Sequence, residues 1–168
     1  MLLVVHALLG VATVGASTHL VLWLRRYAGG KAIRKRQVVR FAWISMVLFA
    51  ATFTAGSLAY PIYKVQVRGG YLDNPSAIAE QYAEPARAAE VAVDAGKVAR
   101  WFDVKEHWAA LGLMLTLACL LILRRWDPSE GRAAITPVVL SFAGLACATA
   151  WLAAIVGLVT SSYRAIGS

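Results

Sequence analysis

The chain reads as an all-α integral membrane protein, a bundle of four transmembrane helices, and three observations predict it. Sixty per cent of its 168 residues are hydrophobic and fifteen per cent charged, where a soluble domain averages roughly half and a quarter. The apolar residues gather into four runs, 2–24, 41–60, 108–123 and 133–160, and none of these contains an Asp, Glu, Lys or Arg. Such runs match the roughly 20 residues that cross a hydrocarbon core of about 30 Å, once the short third run is extended backwards. The third observation is where the net charge of +8 sits.

Ten basic residues against two acidic ones lie in the two short connections after the first and third runs. They are Arg25, Arg26, Lys31, Arg34, Lys35, Arg36, Arg40, Arg124, Arg125 and Arg132, set against Asp127 and Glu130. The long middle connection and the tail sum to zero. One-sided positive charge is what the positive-inside rule expects of cytoplasmic loops. It places both termini and the middle loop outside (N-out/C-out), in a bacterial inner membrane, with the basic face toward anionic headgroups. Topology accounts for the basic pI, and no nucleic acid is implied.

Helix 1, about 2–24, ends in Trp23 and the Arg25-Arg26 stop. Its start, Met1-Leu2-Leu3-Val4-Val5-His6, lacks the positive n-region of a signal peptide. Helix 2, about 38–60, is expected to stop at Tyr60-Pro61, because the residue before a proline is pushed out of the α region. The outer loop, 61–104, is far longer than an ordinary helix connection and so carries structure of its own. Its stretch 64–74 reads as extended. A helix over about 86–103 follows, with Pro85 in its first turn. Val91, Ala95, Val98 and Phe102 recur at 4-3-4 spacing among Glu90, Asp94, Lys97 and Arg100, which makes that helix amphipathic. Helix 3 spans about 105–124, residues 127–131 form a turn, and helix 4 spans about 133–160. Cys119 and Cys147 show no CxxC spacing and read as small buried apolar residues.

The three histidines, His6, His19 and His107, all fall within or at the edge of apolar runs. Intramembrane ionisable groups are costly and point to function, and a neutral imidazole facing a bundle suits haem iron. His6 and His107 lie at similar depth near the outer face and form the candidate axial pair for one haem b. Met114 is a weaker candidate, one helical stripe below His107. His6, Gly10, Thr13 and Ser17 share a face of small residues, which admits a flat macrocycle or a neighbouring helix. His19 is a weaker candidate ligand, 13 residues from His6, thus about 20 Å along the helix and about 220° round it. That departs from the cytochrome b subunits of bc-type complexes, whose stacked haems use histidines 14 apart. Trp101, Phe102, Asp103, Glu106 and Trp108 gather at the outer interface as a rim for a partner or a quinone, or as a plain helix start with aromatic anchors.

The pattern contains no phosphate loop, HExxH or CxxC, and no catalytic activity of its own is expected. The expected function is a small subunit of a bacterial electron-transfer complex, respiratory or photosynthetic, carrying one haem b. Its partners would be other membrane subunits and a periplasmic electron-transfer protein. The alternatives are a cofactor-free assembly subunit and an oligomeric permease for a metal or small molecule.

Overall fold

The computed structural model describes residues 1–30, 34–127 and 134–163. Residues 128–131 of the expected turn, together with Lys31, Arg132 and Arg164 of the charge pattern, lie outside them. Among the described residues there is no strand. Four helical rods are long and apolar enough to cross a membrane, as a multi-pass membrane protein requires.

Helix α1 covers Leu2–Ala28. It ends where Gly30 takes a φ of +71°, a left-handed conformation that only glycine enters freely. Helix α2 covers Lys35–Ile62, and the Gln37 side chain closes its first turn by accepting from the Arg34 N–H at 3.3 Å. A π-helical stretch, Tyr63–Leu72, continues it. The short α3, Pro75–Ala79, is capped by Asn74, whose Oδ1 accepts from Ala77 N–H. Helix α4, Pro85–Arg125, is 41 residues long, and α5 covers Ile135–Tyr163.

The four rods close into an up-down-up-down ring in which α1 neighbours α2 and α5, while α4 neighbours α2 and α5. Helices α1 and α4 are therefore diagonal. A lipid-soaked bundle gains little from the hydrophobic effect, so close packing of small residues must hold it. Each rod supplies them at 4-3 spacing. On α1 the inward stripe is His6, Gly10, Thr13, Ser17, Leu20, Leu24 and Tyr27, with Thr13 and Ser17 buried. On α4 it is Phe102, Lys105, Ala109, Gly112, Thr116, Cys119 and Leu123. The buried hydroxyls mostly turn back on their own helices: Ser17 donates to the Thr13 carbonyl, Thr116 to Gly112 and Thr149 to Ala146.

The interior changes character along the axis. At the end bearing Arg25, Arg26, Arg124 and Arg125 it is apolar, built from residues such as Leu24, Val38, Leu120, Leu123 and Val139. The middle carries the buried hydroxyls of Thr13, Ser17, Ser45, Thr116 and Thr149. At the other end a second core forms outside the bundle proper. There Tyr63, Val67, Tyr71 and Leu72 pack on Ile78, Ala95, Val98 and Ala99. We call this end the cap.

Three expectations are corrected here. Helix 2 does not stop at Pro61, and 64–74 is not extended: α2 runs through Pro61 into the π stretch. A proline inside a helix costs a hydrogen bond and a steric clash. Burial of Tyr63, Val67, Tyr71 and Leu72 against α4 offsets that cost, and their 4-4-1 spacing suits the wider π register. Gly69 and Gly70 permit it, since a Cβ on either would stand 3.3 Å from the carbonyl oxygen of Lys64 or Val65. The residues read as two helices, 86–103 and 105–124, are one unbroken α4, because no Pro or Gly interrupts them between Gly96 and Gly112. At 41 residues α4 is about 60 Å long, twice the hydrocarbon thickness.

Of the described glycines, Gly112 on α4 has the least room, since any Cβ there would overlap Thr149 Oγ1 and Phe49 Cζ. Gly112→Val should therefore destabilise the bundle by about 1–3 kcal/mol through overpacking. Gly15→Ala, in open space, should hold or raise stability through helix propensity. Thermal unfolding of the two variants in detergent checks the contrast.

Candidate functional site

At the cap end of the bundle each helix contributes one residue to a shared layer: His6 from α1, Gly56 from α2, Lys105 from α4 and Gly157 from α5. The glycines provide the room. A Cβ at Gly56 would stand 2.9 Å from His6 Cε1, and one at Gly157 would stand 3.4 Å from Lys105 Nζ. His6 is held by its ring Nδ1, 3.1 Å from the Thr52 carbonyl oxygen. A carbonyl only accepts, so Nδ1 carries the proton and the lone pair lies on Nε2. Just below, the hydroxyls of Thr13 and Thr52 meet at 2.7 Å across the α1–α2 seam.

Lys105 reaches the layer from the inward stripe of α4, and its Nζ lies 4.6 Å from the centre of the Phe102 ring. The Phe102 ring stacks on Tyr63 at a centroid distance of 3.7 Å, which roofs the layer on the cap side. Lys105 is close enough to His6 for their charges to interact, yet among the described residues it belongs to no ion pair. Glu106, whose charge acts on it, lies about 100° round the helix.

Above the roof sits a small ionic cluster. Arg68 Nε donates to Asp73 Oδ2 at 2.8 Å, and Arg68 Nη1 donates to Asp103 Oδ1. The cluster ties the π stretch to α4 beside the Tyr63–Phe102 stack.

The residues singled out from sequence are dispersed. His6 faces inward, but His107 is exposed on the far side of α4, with Nδ1 bonded to the Asp103 carbonyl of its own helix at 2.8 Å. Two residues beyond Lys105 means about 200° round the helix, so His107 points away from the core. Met114 shares that outward stripe and is 62% exposed. His19 is also exposed and meets Phe41 edge-on at 6.3 Å. Trp101 and Trp108 face outward, while Phe102 and Asp103 engage the cap. His6 is the only one of the four candidate haem ligands on an inward stripe.

Lys105, Arg68, Thr52 and the glycine pair are functional candidates that histidine-centred reading passes over. The signal for Lys105 was available: Phe102, Lys105, Ala109, Gly112 and Thr116 keep a 3-4-3-4 rhythm that His107 breaks. Comparison with protein-family profiles, curated proteins and solved structures finds no match for this chain.

Arg68→Ala should loosen the cap without opening the bundle. Its side chain is 26% exposed, so the loss should be about 0.2–1 kcal/mol, as for a surface pair. Hydrogen exchange should quicken across 63–79 and stay unchanged in the buried half of α5.

Proposed function

We propose that this chain is a small subunit of a larger bacterial membrane complex, in which the cap docks a partner outside the bilayer. The observation that carries the proposal is the cap itself. Two of the four rods run past the hydrocarbon thickness and pack a second core there, a construction that a bundle needing only to stay in the membrane does not require. The described basic residues of the short connections, from Arg25 to Arg40 and at Arg124 and Arg125, gather at the opposite end. Under the positive-inside rule that end is cytoplasmic and the cap is periplasmic.

Electron transfer is the setting we favour, on the strength of His6. An imidazole whose Nδ1 is fixed by a backbone carbonyl presents Nε2 in the way that iron ligands commonly do. His107 and Met114 of the same copy do not complete a haem site, because both face away from the core. If a haem b is bound, His6 would be the residue of this chain to hold it, another subunit would have to complete the site, and the haem would supply one-electron transfer.

Two measurements test these statements. Purification of the full chain from native membranes should bring down a partner at fixed stoichiometry, cross-linked through cap lysines Lys64 and Lys97. A lone chain would sink the subunit reading. The reduced-minus-oxidised spectrum of the same preparation should show a b-type band that His6→Ala abolishes and His107→Ala spares. For orientation, Ser76→Cys in a background free of other cysteines should react with an impermeant maleimide in spheroplasts, whereas Arg34→Cys, at an exposed position of the other end, should react only after lysis. The reverse pattern would invert the topology.

A further inference from the structure

Two of the three histidines are hydrogen-bonded within the chain and one is not. His6 holds the Thr52 carbonyl, and His107 holds the Asp103 carbonyl of its own helix. His19 meets only the edge of the Phe41 ring, and its nitrogens form no hydrogen bond among the described residues. It is also exposed, on the outer side of α1. Arg25 and Arg26 end the span six and seven residues further on, so His19 lies about 10 Å inside it. Side chains lean toward the N-terminus of their helix, which carries this imidazole away from the arginine-rich end and deeper into the hydrocarbon. A polar ring left to lipid at that depth is costly, and such groups ordinarily pair inside protein.

The face that carries His19 permits a close approach. Leu8, Ala12, Gly15, His19 and Leu22 recur at 4-3-4-3 spacing, and every one of them is exposed. They form one stripe along α1, turned away from the inward stripe of Thr13, Ser17 and Leu20. Its centre is small. A Cβ at Gly15 would meet nothing within 4 Å, and Ala12 lies one turn before it. Small residues let a second helix backbone come near, and a histidine beside them can hydrogen-bond across the seam. At similar depth the outer faces of α2, α4 and α5 present Val47, Met114 and Leu145 instead, all large and exposed.

We infer that this face of α1 is a twofold contact between two copies of the chain. The membrane fixes its geometry. Copies inserted the same way meet in parallel across a twofold axis, so equal depths face each other: Gly15 against Gly15 and His19 against His19. A neutral imidazole has one N–H donor and one bare nitrogen. Two of them therefore satisfy each other with one hydrogen bond and no buried charge, whereas a charged partner would have to bring its charge into the hydrocarbon. Closed twofold pairing is also the commonest symmetry of oligomers. Arg26 continues the stripe past the end of the span, where water and salt screen it from its like. The contact leaves the cap and the inward-facing His6 free for the roles proposed above.

The test is energy transfer between labelled copies of the full chain, diluted stepwise in lipid vesicles. The wild type should associate reversibly. His19→Leu should weaken association by about fivefold, the equivalent of about 1 kcal/mol for one interhelical hydrogen bond in a bilayer. Gly15→Leu should abolish it by holding the backbones apart. Both substitutions project away from the bundle, so thermal unfolding of the monomer in detergent should not fall. As a second measurement, Gly15→Cys in a background free of other cysteines should form a disulfide-linked dimer on oxidation. Met114→Cys, exposed on the diagonal helix α4, should not. Energy transfer no greater than chance at every dilution overturns the proposal, as does association that both leucine variants leave undiminished or a Gly15→Cys chain that never cross-links. A benzophenone on Gly15→Cys that captures only a different protein in native membranes would assign the face to another subunit and overturn the pairing.

Discussion

Helices in a bilayer are not pushed together by water, so this bundle depends on how closely its backbones can approach. The contact that sets that distance is Gly112 on α4, lying under Phe49 of α2 and Thr149 of α5 with no space for a Cβ. That lack of space lets α4 seat closely against both neighbours, since a larger side chain there would meet Phe49 and Thr149. Gly10 and Thr13 on α1 and Ala143, Ala146 and Ala150 on α5 continue the same logic at other depths. Large apolar residues face outward instead, among them Leu8, Val11, Leu145 and Leu158, which is the inversion expected when lipid is the solvent.

That approach also decides what happens above the bundle. Because α2 and α4 are neighbours and both continue, their extensions remain side by side and bury a second core between them. The π stretch keeps Tyr63, Val67 and Tyr71 aimed at α4, a direction that proline-bent α-helix alone would not guarantee. π segments inside helices often mark functional positions, and here one lies directly over the His6–Lys105 layer. The Tyr63–Phe102 stack and the Arg68 ion pairs join roof to layer.

Much of this was legible beforehand, and the parts that were not share a cause. Hydropathy locates the four spans because each must satisfy its backbone internally. The 100° step correctly groups His6, Gly10, Thr13 and Ser17 on one face. The same step fails for His107, because a helical wheel has no origin until something says which side is inward. Choosing the histidine as origin turned α4 about 200° from where Gly112 and Thr116 put it. Pro61 misled for a different reason. Local rules price a proline in isolation, whereas Tyr63, Val67 and Leu72 find their compensation in Ala95 and Val98, 23 to 35 residues away in sequence.

The order of chemistries along the axis then acquires a meaning. Hydroxyls at mid-depth are cheap, since most of them bond to carbonyls of their own helix. An imidazole and an ammonium in one layer cannot be quieted that way: His6 borrows a carbonyl from another helix, and Lys105 finds a π face. Glycines opposite both side chains show that α2 and α5 accommodate the layer at some loss of helix propensity. Apolar residues there would pack more simply, as they do at the arginine-rich end. A bundle that gives up packing at one depth, and roofs that depth with a second core, concentrates its polar chemistry at one end of the spans.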